Sequence, residues 1–167
     1  MIENSRVQGP NFGCQWHFHP EMELTLVLQG GTQRWVGDKI TALKPGDLTF
    51  LGADLPHDFR NDAVPGSTPK DVDAVNIHFH PDFLGHDWLN WPDMVNIQTL
   101  FKEAKHGLQV SGATRDRVAE RMINMLETSG TSRLILLLEL LNDLSTSEEL
   151  TRIASPGYFT ELHSSDK

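Results

Sequence analysis

Short apolar segments separated by glycine and proline turns restrict the first half of this 167-residue sequence to a β fold. Residues 23–28 alternate polar and apolar side chains, and Gly30 follows as a break. The Pro45-Gly46 pair has the composition of a type II turn. Further segments of strand character lie at residues 32–36, 39–43, 48–51 and 72–79. Short strands at this spacing are typical of an antiparallel sandwich or barrel.

The second half, from about residue 92, changes to helical periodicity. The i, i+3, i+4, i+7 spacing of one helix face is occupied by Ile97, Leu100, Phe101 and Ala104. Two more helices are predicted, one through residues 118–126 and one over residues 132–144. The last is apolar on more than one face, so it must bury against two surfaces. The second surface belongs either to this chain or to a second subunit.

Composition limits the possible functions. The sequence has 23 acidic and 14 basic residues and no basic stripe, so it is a poor candidate for binding nucleic acid by itself. No apolar run is long enough for a membrane span, and residues 1–9 do not resemble a secretory signal. The single cysteine, Cys14, forms no internal disulfide, which fits a reducing cytoplasm. The length suits one domain with its own core.

The strongest chemical signal lies in residues 16–23. His17 and His19 are two residues apart, so on a strand they face the same side. Glu23 and His57 join them if the sheet closes into a barrel. Three imidazoles and one carboxylate suit a divalent transition metal such as Zn, Ni, Fe or Mn. In the alternative interpretation, the same side chains line a polar cavity without metal.

Other side chains are candidates for contact with a small molecule. Trp16 offers an aromatic face for a sugar or aromatic ligand, although packing is the commoner role of tryptophan. Arg34 is suited to clamp a carboxylate or hydroxyl groups, and its alternative role is a solvated strand charge. His78 alternates with His80, so both face the barrel interior, or one faces solvent and the other ends the strand. The predicted ligand-binding residues are Trp16, Glu23, Arg34 and His78.

The histidine spacing resembles the two sequence motifs of the cupin superfamily, small β-barrels in which three histidines and a glutamate bind an internal metal. By this resemblance, the metal ligands are His17, His19, Glu23 and His57. The scaffold positions match less closely. The first motif normally opens with a glycine, and this sequence has Asn11 at that position. The second motif normally has a proline and a glycine at two inner positions, where this sequence has Gly52 and Asp54.

A longer ordered set of segments, between Trp16 and Tyr158, resembles the N-terminal sensing domain of AraC-type transcription regulators. The segments that carry the resemblance are residues 17–30, 34–38, 45–48, 55–57, 78–85 and 100–108, with the leucine-rich third helix. The resemblance implies a cupin-type (double-stranded β-helix) barrel followed by three helices. It also implies a small effector, often a sugar, and a homodimer formed through the helices. DNA contact would require a helix-turn-helix domain, which normally follows and which we expect to have been truncated from this chain.

These observations predict a barrel with an N-terminal arm at residues 1–90, a helical and dimerising segment at 91–146, and a linker at 147–167. The favoured function is effector sensing in a cytoplasmic transcription regulator, without enzymatic activity. One alternative is a metal-dependent cupin enzyme of the sugar isomerase or dioxygenase type, which needs an open coordination position. The other is a purely structural dimerisation module whose barrel is filled by side chains.

Overall fold

A computed structural model describes residues 1–158. Over this range seven strands precede the first of three α-helices, an eighth strand lies between the first and second helices, and a ninth follows the third helix. The strands are β1 (Ile2–Gly9), β2 (Met22–Gln29), β3 (Gln33–Val36), β4 (Lys39–Ala42), β5 (Leu48–Leu51), β6 (His57–Arg60), β7 (Val72–Phe79), β8 (Leu108–Val110) and β9 (Leu150–Arg152). The helices are α1 (Val95–Glu103), α2 (Gly112–Met125) and α3 (Gly130–Ser145). The predicted succession of short strands and then helices is confirmed.

The strands form two antiparallel sheets. The larger sheet has the order β1-β7-β2-β5-β8-β9, and the smaller sheet has the order β4-β3-β6. The N-terminal residues, which the sequence analysis expects as an arm, pair along β1 with β7 in a continuous register from Ile2–Phe79 to Gly9–Val72. The predicted fold class, a mainly β cupin-type barrel with C-terminal helices, is confirmed.

Period-2 alternation gives the larger sheet two buried faces. On β2, Leu24 and Leu26 face the helices and belong to one apolar core. Val27 belongs to a second core inside the barrel, and Glu23 and Thr25, which share its side of the strand, are also buried. Because both faces are covered, this strand has an almost continuous run of buried residues. The barrel interior is therefore apolar at Val27 and polar toward Glu23.

The type II turn predicted at Pro45-Gly46 is present. Gly46 has a φ of 94°, close to the value that this turn requires at its third position. The amide of Asp47 donates to the carbonyl of Lys44 at 3.1 Å, and the Asp47 carboxylate accepts the Lys44 amide at 2.9 Å. The turn joins β4 to β5 and so aligns β5 beside β2.

The leucine-rich helix α3 packs on α1 and α2. Its buried side chains are Leu137, Leu140, Leu141 and Leu144. Full burial of one leucine contributes about 2 kcal/mol, so this face accounts for much of the helix's stability. On the other side, Ile135 is 51% exposed. Within residues 1–158, no helix is long and apolar enough to cross a membrane.

Part of the segment predicted as a linker is packed against the barrel. Strand β9 pairs with β8, and Arg152 forms two hydrogen bonds of 2.7 Å with Glu103. Ser155 donates its amide (2.9 Å) and its hydroxyl to Asp38 in the turn between β3 and β4. The remainder of the predicted linker, residues 159–167, lies outside the described residues.

Candidate metal and effector site

Three separate segments bring the predicted quartet together at one end of the barrel. His17 and His57 form an antiparallel bridge, with amide-to-carbonyl distances of 3.1 and 2.9 Å. The carbonyl of His19 accepts a hydrogen bond from the amide of Asp54 at 2.8 Å, which fixes the position of the His19 backbone. Glu23 lies on β2, opposite Leu51 of β5. One potential ligand atom from each of the four residues lies within 4.8 Å of the others.

Each histidine of the quartet has its Nδ1 atom against a backbone carbonyl. The contacts are His17 to Gln15 O at 2.5 Å, His19 to Glu21 O at 3.0 Å and His57 to Leu55 O at 2.7 Å. A carbonyl oxygen only accepts hydrogen bonds, so Nδ1 carries the proton in all three rings. In the neutral imidazole, the Nε2 lone pair is then free to coordinate a metal, with the ring oriented by its carbonyl partner.

The spacing of the ligand atoms fits a metal ion. Glu23 Oε2 lies 3.0 Å from Nε2 of His19 and 3.0 Å from Nε2 of His57. Ligands at about 2.1 Å from an ion and at right angles to each other are about 3.0 Å apart. Without a cation, two neutral Nε2 lone pairs would face a carboxylate oxygen, which is repulsive unless the rings become protonated. The donor set therefore requires positive charge, either as protons or as a metal.

The carboxylate of Glu23 is the electrostatic centre of the group. It is 5% exposed, and its Oε1 accepts the hydroxyl of Thr25 at 2.7 Å. Burial acts to raise the pKa of Glu23, but hydrogen bonds from His19, His57 and His78 lower it well below its ordinary value. His19 and His57 can donate these bonds only as imidazolium rings, because their Nδ1 protons are used on backbone carbonyls. The pKa of His19 is raised, mainly by its hydrogen bond to Glu23. The carboxylate is thus ionised and available as a ligand.

His78 belongs to the same site but in a different role from the quartet. It faces Glu23 across the β2–β7 pair, and its Nε2 lies 3.1 Å from Glu23 Oε2. It is not among the four residues whose ligand atoms lie within 4.8 Å of one another. A neutral ring protonated at Nε2 can donate directly to Glu23. His78 is therefore placed to orient the carboxylate.

An open cavity of about 310 Å³ adjoins this group on the solvent side. It is lined by Met1, Glu3, His19, Glu21, His78 and His80. Glu3, which is opposite His78 in the β1–β7 register, was not predicted from the sequence. Thr25 was not predicted either, although its position two residues after Glu23 was a usable signal. Glu3 had no comparable signal because its position depends on how β1 pairs.

Neither Arg34 nor Trp16 lines this cavity. Arg34 is 1% exposed, and its three nitrogens donate to Thr41 (3.2 Å), Thr49 (2.9 Å) and Gln109 (2.8 Å). Burial lowers the pKa of its guanidinium. Arg34 is therefore not the solvated strand charge of the alternative interpretation, and it links the smaller sheet to the larger one. Trp16 lines a separate cleft beside β6.

Comparison with known proteins gives a consistent family. The family model described as AraC-like ligand binding domain matches residues 2–150. The AraC-like transcriptional activator CuxR aligns with a TM-score of 0.55 and 11% identity, over 93% of this chain and 51% of CuxR. ToxT from Vibrio cholerae aligns with a TM-score of 0.50 and 7% identity, over 99% of this chain and 65% of ToxT. No curated protein sequence matches this chain.

At these identities, the structural matches show a shared fold alone. The chain spans about half the length of CuxR, at 51%. A deletion mutant of oxalate decarboxylase from Bacillus subtilis aligns with a TM-score of 0.35 and 18% identity, which is too low to support an inference about chemistry. The family match, in contrast, covers most of the chain. The chain belongs to the AraC-like ligand-binding domain family.

Proposed function

We propose that this chain is the effector-sensing domain of an AraC-type transcription regulator and that it senses a small molecule at a metal centre. The metal ligands are His17, His19, Glu23 and His57. The observation that carries the proposal is the placement of three Nδ1 atoms against backbone carbonyls, with the Nε2 atoms of His19 and His57 3.0 Å from the buried carboxylate of Glu23 and one ligand atom of His17 within 4.8 Å of the other three. Zn, Ni, Fe and Mn are suitable ions for this donor set.

The effector occupies the cavity of about 310 Å³ on the solvent side of the metal centre. A bound divalent ion would supply a Lewis-acid position for an oxygen atom of the effector. Glu3 and His78 line the same cavity and offer an acceptor and an imidazole to neighbouring hydroxyl groups. A sugar or a related hydroxylated metabolite has the oxygen atoms that this arrangement needs. We assign no catalytic step to these residues.

Signalling follows from a shift between two conformations that bind the effector differently. The protein is a cytoplasmic homodimer that associates through its helices, where Ile135 of α3 is 51% exposed. In such a regulator, DNA is contacted by a helix-turn-helix domain and not by the sensing domain. The net charge of −9 supports that division of roles, because an acidic surface repels phosphate.

The first test is metal content followed by effector titration. Elemental analysis of protein purified without chelator, and calorimetric titration of chelator-treated protein with Zn²⁺, are expected to give one ion per chain. His17→Ala should abolish this binding, whereas His86→Ala is the matched control because its side chain is 93% exposed and lies outside the site.

Metal-loaded and chelator-treated protein are then titrated with neutral sugars and sugar acids. Binding that is lost with the metal supports the proposed function. Failure to bind any of the four ions, or Zn²⁺ binding that survives in His17→Ala, contradicts the metal centre. An elution volume of a monomer at micromolar concentration contradicts the dimer.

A further inference from the structure

A cleft of about 850 Å³ lies at the edge of the smaller sheet, apart from the metal-ligand group. Among residues 1–158, only the His17–His57 bridge extends this sheet beyond β6. The cleft is lined by residues 58–62 and by residues 11 and 13–16, which precede the bridge. The volume is within the range of about 300–1,000 Å³ that is usual for ligand sites.

Fixed elements define the inner end of the cleft. The ring of Phe12 is buried against Phe59, with centroids 5.7 Å apart, and both rings belong to the second apolar core. Asn61 donates to the carbonyls of Pro10 (3.0 Å) and Lys70 (2.9 Å), which ties the start of the 11–16 segment to β6. The cleft is therefore a preformed feature of the barrel surface.

Charges of both signs are held in position along one wall. Asp58 is 4% exposed, and its carboxylate accepts Nε of Arg60 at 2.9 Å. The Arg60 guanidinium also lies over the Trp35 ring, 4.0 Å from its centroid, which restricts its rotamers. Asp62 adds an exposed carboxylate at the rim. An anionic ligand would meet two carboxylates here, and a cationic ligand would meet a guanidinium.

The cleft also has an aromatic surface. Trp16 lines it and is 48% exposed, so part of its indole is available for contact with a ligand. Hydroxyl groups both donate and accept hydrogen bonds, so they suit a wall with carboxylates and a guanidinium side by side. The C–H face of a sugar ring or cyclitol is apolar enough to pack on an indole.

We propose that this cleft is a second ligand site, specific for a neutral polyhydroxylated small molecule of the sugar or cyclitol type. Trp16 packs on the apolar face of the ligand, and Asp58, Arg60 and Asp62 bind its hydroxyl groups. The site shares no residue with the metal-ligand group or with the cavity that adjoins it. This proposal rests on the proposed function only in assuming that the domain senses small molecules. Ligand binding in the cleft does not require a metal.

The test is calorimetric titration of the full chain with D-glucose, D-ribose and myo-inositol, and with gluconate and glucosamine as charged counterparts. Each titration is run with Zn²⁺ and with EDTA. We expect at least one neutral compound to bind equally in both conditions. Trp16→Ala should weaken this binding roughly tenfold. Trp91→Ala is the matched control, because Trp91 is 53% exposed and lies just before α1, outside the cleft.

Asp62→Asn is a second variant, at an exposed position where folding is not at risk, and should weaken binding severalfold. Three results would overturn the proposal: no neutral compound binds at millimolar concentration, only a charged counterpart binds, or Trp16→Ala binds like the wild type. Binding that disappears with EDTA would assign the ligand to the metal centre instead. Loss of Zn²⁺ binding alone affects the proposed function and leaves this second site intact.

Discussion

Two buried polar groups in this barrel differ in how their charges are balanced. The Arg34 guanidinium is 1% exposed, and each of its three nitrogens donates to a neutral side-chain oxygen of the protein. The Glu23 carboxylate is similarly buried, but its Oε2 faces imidazole nitrogens that lack the proton to donate when the ring is neutral. Each nitrogen of Arg34 thus has a hydrogen-bond partner within the protein, whereas the Glu23 group needs a proton or a metal ion.

The comparison separates a structural polar group from a functional one. Buried polar atoms are normally paired, and a buried group whose pairing requires additional positive charge indicates that a proton or a cation binds there. Arg34 meets the first description, since it joins β3 to β5 and β8. The quartet meets the second description. Residue types alone would not distinguish the Arg34 group from the quartet.

The largest effect is expected at Glu23. Glu23→Gln removes the only carboxylate of the quartet and should lower Zn²⁺ affinity by more than about 100-fold, beyond the 10–100-fold expected for an indirect partner. Calorimetric titration measures this, with Glu127→Gln as an exposed control on another part of the chain. Unchanged affinity would mean that the ion binds elsewhere.

Arg34→Met tests the other half of the comparison. It keeps most of the buried volume but leaves Thr49 and Gln109 without a donor, at a cost of about 1–3 kcal/mol for each unsatisfied group. We expect the free energy of unfolding in urea to fall by about 3 kcal/mol, with Zn²⁺ binding retained in the folded protein. The exposed Arg117→Met is the control. Normal stability with loss of effector binding would instead make Arg34 a ligand clamp, as the sequence analysis predicts.

His78→Ala sharpens the distinction between a metal ligand and a partner of a ligand. Because His78 contacts Glu23 but lies outside the quartet, we expect roughly tenfold weaker Zn²⁺ binding with one ion still bound per chain. His80→Ala, which alters the same cavity without contacting Glu23, should have little effect on metal affinity. Complete loss of binding in His78→Ala would identify His78 as a direct ligand.

The smallest effect is expected at Asp38, an exposed carboxylate that accepts hydrogen bonds from Ser155. Hydrogen bonds from the Ser155 hydroxyl and amide lower the pKa of Asp38. The contact is therefore fully present above the ordinary aspartate pKa and is lost as the pH falls through the lower, folded-state value. The protection factor of the Ser155 amide, its exchange rate relative to the intrinsic rate at the same pH, should fall over that acidic range, and Asp38→Ala should lower it at neutral pH. A protection factor that does not change with pH would show that Asp38 does not anchor this segment.

Local sequence patterns predicted most of the strands and helices because they depend on periodicity and turn chemistry. Residues 48–51 and 72–79 were predicted as strands with the observed bounds, and the Pro45-Gly46 turn followed from its composition. Strand β1 was missed, since its alternation is weak and its stability comes from pairing with β7. The short strands β8 and β9 were missed for the same reason.

The candidate site was predictable only in part. The i, i+2 spacing of His17 and His19 indicates a shared face in any extended segment, and the cupin resemblance added Glu23 and His57. The contact between His78 and Glu23 depends on the β2–β7 register, and the burial of Arg34 depends on the approach of two sheets. Neither depends on residues that are close in the sequence.

The sequence by itself determined the order of strands and helices, the acidic charge and the set of residues able to bind a metal, because these follow from side-chain chemistry and local backbone preference. Tertiary structure alone decided which of those residues meet. Strand register and sheet closure placed His78 beside Glu23, buried Arg34 between the two sheets and placed Trp16 in a different cleft from the cavity beside the quartet. Pairing between distant strands is a property of the whole barrel, and no local spacing encodes it.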